Sequence, residues 1–223
     1  MKVLVLAVIF LILSVTAVDV VYAQGMNRRT ESITIPFTAA NAEFLSPDHF
    51  SFTAKHSGDW ILTIQNNLRY NEQNPEAKVV IRLKEKPEDT TFVEMMMVGP
   101  PSHKLSIAIS NKEIGYMRMF ENENAWFPDK PLTASVVQGE RLSINNGQRT
   151  VLDRLQIGAF TPNTIEVYGR DGAEADASAF SGEIIVDILS GNPLDNPITM
   201  IPPIAVAITA GALVTLLVIK KRT

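Results

Sequence analysis

From residue 32 to residue 189 apolar and polar side chains alternate with a period of two, in one short segment after another, with little sustained helical periodicity between them. A period of two sends successive side chains to opposite sides of an extended backbone, so each segment reads as a strand with one buried and one wet face. The segments are 32–38, 49–55, 60–67, 78–86, 91–98, 104–110, 116–121, 133–138, 140–145, 153–160, 164–169 and 183–189. Val79, Ile81 and Leu83 oppose Arg82, Lys84 and Lys86; Leu105, Ile107 and Ile109 oppose Ser106, Ala108 and Ser110; Ile184, Val186 and Ile188 oppose Glu183 and Asp187. Turn-forming clusters such as Ser57-Gly58-Asp59, Gly99-Pro100-Pro101, Asn145-Asn146-Gly147 and Arg170-Asp171-Gly172 separate them. Half-buried strands exclude a parallel sheet covered on both faces. About ten or more of them at this spacing predict an all-β fold, an antiparallel β-sandwich of jelly-roll-like design. Helix is expected only in short pieces, at 39–45 and 173–179.

Two apolar segments flank this region. Lys2 and the apolar run from Val3 to Val18, followed by Val21-Tyr22-Ala23, have the form of a signal peptide over 1–23, cleaved after Ala23. At the other end nothing charged lies between Ile198 and Ile219, and about 1.5 Å of rise per residue carries that stretch roughly 33 Å, the thickness of a bilayer core. Lys220-Lys221-Arg222-Thr223 is a basic flank that the positive-inside rule assigns to the cytoplasm. The expected organisation is therefore a signal peptide (1–23), an extracytoplasmic sandwich (24–189), a proline-bearing linker (190–197), a transmembrane helix (198–219) and a basic tail (220–223). Ala207, Gly211 and Thr215, four residues apart, put small side chains on one face of that helix, where a neighbouring helix can approach closely. The succession of linker, apolar span and basic end resembles the C-terminal sorting signals recognised by archaeal and bacterial transpeptidases. The short motif expected before such a span, of the Leu-Pro-Xaa-Thr-Gly kind, is absent.

Charge narrows the classes of partner. Of the 20 basic residues Lys2, Lys220, Lys221 and Arg222 lie outside 24–197, and of the 24 acidic residues only Asp19 does, leaving that stretch at about −7. A broad basic surface for nucleic acid is excluded on that balance. Cys is absent, and so is any Asn-Xaa-Ser/Thr sequon. For an exported domain of this length the two absences together favour a prokaryotic cell envelope.

Chemistry-bearing residues are few. Met95, Met97, His103, Met117 and Met119 fall close together in sequence, and thioether and imidazole are ligands for copper(I). Strand alternation gives the same methionines an ordinary core role, as pairs on the inward faces of neighbouring strands. His49, His56 and His103 are too dispersed for a zinc spacing, and His56 falls in a turn where it is expected to be solvated. The acidic loop with Asp171, Glu174 and Asp176 offers hard oxygen ligands of the kind calcium takes, as does the stretch 121–124 with Asp129 nearby. Trp126 and Phe127, in the segment Phe120 to Pro128, are the aromatics best placed to stack on a sugar ring from an exposed loop. No nucleophile elbow, zinc-protease motif, phosphate-binding loop or dinucleotide fingerprint occurs.

Read together, these features predict a single-pass envelope protein, its sandwich outside and its C-terminus in the cytoplasm, that serves binding or assembly rather than catalysis. Its partners would be the membrane and other envelope or bilayer proteins, with no cofactor required. Copper handling and carbohydrate binding are the two alternatives.

Overall fold

The computed structural model describes residues 29–190, apart from 57, 138 and 139. The expected signal segment, the linker beyond Ser190, the 198–219 span with Ala207, Gly211 and Thr215, and the basic tail lie outside the described residues. Among the described residues no helix is long and apolar enough to cross a membrane.

The strands are β1 (Arg29–Pro36), β2 (Asp48–Ser51), β3 (Trp60–Asn66), β4 (Arg69–Tyr70), β5 (Lys78–Lys84), β6 (Phe92–Val98) and β7 (Leu105–Asn111). They continue with β8 (Gly115–Asn122), β9 (Leu132–Val137), β10 (Arg141–Asn145), β11 (Thr150–Gln156), β12 (Thr164–Tyr168), β13 (Ala179–Ser181) and β14 (Glu183–Ser190). The first sheet has the order β1-β14-β3-β9-β10-β11, the second β2-β12-β5-β6-β7-β8, and β13-β4 forms a small third sheet. Every named pairing is antiparallel. The two ends of the domain are nested: β1 lies against β14 in one sheet and β2 against β12 in the other, so distant stretches of chain meet in both layers. The all-β antiparallel sandwich expected from the alternation is what the chain forms.

The core lies between the sheets and is built from the faces that the alternation marks. Ile81, Leu83, Met95, Ile107 and Val167 come from the second sheet, and Leu62, Ile64, Ala134, Leu142 and Val186 from the first, all of them buried. Each such large aliphatic side chain taken out of water stabilises the fold by roughly 1.5–3 kcal/mol before conformational entropy is counted. Trp60 is buried at the start of β3 and donates its indole N–H to the carbonyl of Phe160 at 3.0 Å.

Several local expectations are corrected. The 39–45 piece is helical only over Ala39–Asn41, as a three-residue 3-10 turn that ends where Ala42 turns extended. The 173–179 piece is a turn and then strand β13, because the Arg170 guanidinium reaches the carbonyls of Ala173 and Ala175 and folds that stretch around itself. The strand expected at 153–160 runs instead over Thr150–Gln156, with Phe160 held in the core. The short strands β4 and β13 leave no trace in the alternation, since two or three residues are too few to show a period.

Polar contacts tie β1 to the segment that follows β2. Glu31, on β1, accepts hydrogen bonds from the Thr53 amide and hydroxyl and from the Ala54 amide. Burial raises its carboxyl pKa, but these bonds and one with His56 together outweigh that and hold it at about 2. His56 is buried, not solvated as its turn position implies: Nδ1 lies 2.7 Å from the Ser190 hydroxyl, Nε2 lies 3.4 Å from Glu31, and the ring meets Phe52 edge-on.

Candidate functional site

Antiparallel register places five outward side chains of the second sheet in one row. His49 on β2 is opposite Glu166 on β12, Glu166 is opposite Arg82 on β5, Arg82 is opposite Glu94 on β6, and Glu94 is opposite Ala108 on β7. Arg82 and Glu94 face each other because β5 and β6 form a hairpin; Glu166 arrives from far along the chain. The Arg82 Nε donates to Glu94 at 2.7 Å, and its Nη1 lies 3.6 Å from Glu166. Lys84 approaches the same Glu166 at 3.2 Å. Glu94, Glu166 and Lys84 are buried even though they stand on the outer face.

Aromatic rings surround this ion network. The guanidinium carbon of Arg82 is 4.7 Å from the Phe92 ring centroid, 4.9 Å from that of Tyr168 and 5.2 Å from that of Phe44. A cation over ring faces gains electrostatically, more so where water is excluded. Burial lowers the Arg82 pKa, yet the hydrogen bond to Glu94 and the negative groups nearby more than reverse this and raise it above its usual value. Tyr116 on β8 donates its hydroxyl to Glu94 at 2.9 Å, and Tyr168 reaches the same carboxylate at 3.5 Å. Both phenols are pushed above their ordinary range, first by burial and then by Glu94. Glu94 thus accepts from a guanidinium and two phenols, and these hold its orientation.

Above this floor lies an open depression of about 430 Å³ lined by Phe44, Arg82, Glu94, Tyr116, Tyr168 and Asp171. Phe44 and Tyr116 are respectively 43% and 52% exposed, so each offers ring surface to a ligand. Asp171 stands at the rim and is held by Lys78 at 2.6 Å. Phe44 is placed there because its backbone amide donates to the Arg170 carbonyl, at 2.8 Å, which ties the β1–β2 connection to the end of β12. The site thus combines exposed aromatic surface with donors and acceptors at fixed positions, the usual make-up of a small-ligand site.

Of the candidate ligand residues singled out from sequence, Asp171 lines this depression and the others lie elsewhere. Met95 and Met97 are buried in the core on β6. Met117 is on β8, 45% exposed, and β7 lies between the two strands, so the pairs are not neighbours as alternation implied. A bulge between Ile107 and Ala108 breaks the β8 alternation: it sets Phe120 opposite Ile107 and leaves Met119 only partly buried. His103 packs edge-on against Trp126 at 5.1 Å between centroids. The methionines and His103 therefore do not converge. Trp126 is itself buried, its indole N–H spent on the Val98 carbonyl at 2.7 Å, and so provides no stacking surface; Phe127 is half-buried under Lys130. Asp171 is turned to Lys78, while Glu174 and Asp176 are exposed, and among the described residues no three His, Asp or Glu side chains gather as a metal group. Glu121, in the other acidic stretch, pairs with Lys104 and Arg118.

No family model and no curated protein matches the sequence. Solved structures similar to the fold include a galectin from Caenorhabditis elegans, with 14% identity over 67% of this chain and 91% of that one and a TM-score of 0.35. They also include the carbohydrate binding module CBM66 from Bacillus subtilis, with 9% identity over 71% and 92% of the two chains and a TM-score of 0.39. A prokaryotic beta-1,3-1,4-glucanase derived from a mouse hindgut metagenome has 9% identity over 74% and 80%, with a TM-score of 0.42. At that distance no ligand, reaction or residue role carries over to this chain.

Proposed function

We propose that this chain is an extracytoplasmic binding protein that takes carbohydrate on the outer face of its second sheet, held in the cell envelope by its C-terminal apolar segment. The observation that carries the reading is the depression itself, where the exposed rings of Phe44 and Tyr116 stand beside Arg82 and Glu94. A sugar ring offers an apolar face that stacks on an aromatic ring and a rim of hydroxyls that need fixed donors and acceptors. Binding fits this face better than hydrolysis. A glycosidase needs one carboxyl free to give up a proton and another free to attack or to activate water, whereas Glu94 and Glu166 are both engaged by Arg82.

The test is binding of the full chain, in detergent, to a panel of immobilised polysaccharides. At least one is retained, and Tyr116→Ala weakens that binding about tenfold or more, as expected for loss of roughly 1.5 kcal/mol of ring contact. Tyr116 is half-exposed on an edge strand, so the variant keeps its fold. Undiminished binding by Tyr116→Ala would move the site off this face.

A further inference from the structure

The charges around the depression are already matched within the protein, and this bears on which carbohydrate it can accept. Glu94 is paired with Arg82 at 2.7 Å, Glu166 with Lys84 at 3.2 Å and with Arg82 at 3.6 Å, and Asp171 with Lys78 at 2.6 Å. At the β8 side Glu121 takes Arg118 and Lys104. We infer that the ligand is an uncharged polyhydroxylated ring, a neutral glycan rather than a uronate or an amino sugar; this rests on the carbohydrate reading above.

The chemistry follows from hydrogen-bonding capacity. A carboxylate has about four lone-pair sites and a guanidinium five N–H donors. Glu94 accepts from Arg82, Tyr116 and Tyr168, so one site on it is left; Arg82 directs Nε at Glu94 and Nη1 at Glu166, which leaves N–H donors over. A hydroxyl both donates and accepts, and so it can give its proton to Glu94 while accepting from Arg82 without disturbing the ion pair. A ligand carboxylate can only accept: it leaves the open acceptor site of Glu94 unmet, and it meets Glu94, Glu166 and Asp171 as like charges. An ammonium can only donate: it can take the open site on Glu94, but it cannot accept from Arg82 and meets Arg82 and Lys84 as like charges. Either charge enters a floor whose own charges are already balanced and is itself left unmatched there, which is unfavourable.

The experiment compares a neutral glucan, a polyuronate and a deacetylated, cationic amino-glucan as ligands for the full chain in detergent, each at low and at high salt. The neutral polymer is bound, with an affinity that changes less than about twofold with salt, because no charge crosses the interface. The two charged polymers bind at least about tenfold more weakly. Glu94→Gln then frees the Arg82 cation, so the variant gains at least about tenfold for the polyuronate, and that binding falls with salt. A purely structural role for Glu94 would not raise polyuronate binding. Tighter binding of either charged polymer by the unaltered chain overturns the inference and leaves carbohydrate binding intact. An unaltered polyuronate affinity in a folded Glu94→Gln also overturns it. Failure of the whole panel overturns the carbohydrate reading, and the inference with it. If Glu94→Gln does not fold, the three-polymer comparison on the unaltered chain decides alone.

Discussion

The two sheets present outer faces of opposite character. On the second sheet the outward rows carry Glu166, Arg82, Glu94 and Lys84 among the rings of Phe92, Tyr116 and Tyr168. On the first sheet the outward positions are mostly hydroxyls: Thr30, Ser32 and Thr34 on β1, Thr63 on β3, Thr133 and Ser135 on β9. The same face holds Ile61, Ile185 and Leu189, with Glu183 and Asp187 as the charges on β14 and Arg141 on β10. Both faces lie opposite the same core, so the core sets neither. A surface that only has to stay wet can be made of short β-formers, as the first sheet is. Ordering long charged side chains there costs conformational entropy and desolvation, with little return in stability unless the charges do something else. The difference between the faces is what marks the second as the functional one.

The strongest way to break this contrast is to remove its hub. Arg82→Met keeps an apolar stem but leaves Glu94, about a tenth exposed, without its cation, and Glu166 with Lys84 alone. A loss of about 3 kcal/mol is expected in chemical denaturation, the scale for breaking a buried pair from one side. A loss under about 1 kcal/mol would mean that the network is solvated and that the faces differ in composition only.

The next effect sharpens the contrast by showing that a carboxylate can also act purely in architecture. Glu31 ties β1 to the 53–56 stretch, and its pKa of about 2 lies below the ordinary 4.5. A depressed carboxyl pKa contributes stability that is complete above about 4.5 and is lost as pH falls toward about 2. Glu31→Gln should therefore lower stability at neutral pH by about 2 kcal/mol, the scale of hydrogen bonds to a charged group. Its deficit should shrink as the pH is lowered through that window, while polysaccharide binding at neutral pH stays unchanged. A deficit that stayed constant with pH would dissociate Glu31 from the acid response.

Much of this was legible in the chain. The alternation in 78–86, 104–110 and 183–189 assigns core and outer faces correctly, because burial is decided residue by residue. Arg82 and Glu94 could have been found as a pair, being opposite charges at outward positions on the two arms of one hairpin. Glu166, Tyr168 and Phe44 could not. They reach Arg82 only because β12 inserts between β2 and β5 and the β1–β2 connection folds onto its end, pairings between segments far apart in sequence. Trp126 misled for a related reason. Its loop is polar and turn-rich, which reads as exposed, but the amides of Asn124, Ala125 and Trp126 bond to the 102–103 backbone and draw the indole inward. His56 was hidden in the same way, since a turn residue shows no period that would mark it as buried.

The smallest expected effect is the control that gives the contrast its meaning. Thr63 sits mid-strand on β3, half-exposed on the hydroxyl face, opposite Asp187 on one side and Thr133 on the other. Thr63 makes no side-chain hydrogen bond among the described residues, so Thr63→Val removes a hydroxyl without a protein partner there and keeps the β-branched shape that a strand prefers. Stability should change by no more than about 0.5 kcal/mol in either direction, as for surface positions away from special features. Binding of the neutral glycan should be unaltered. Were Thr63→Val instead to weaken that binding, the hydroxyl face would be a second contact surface, and the asymmetry between the sheets would be one of ligand chemistry rather than of function against bare solubility.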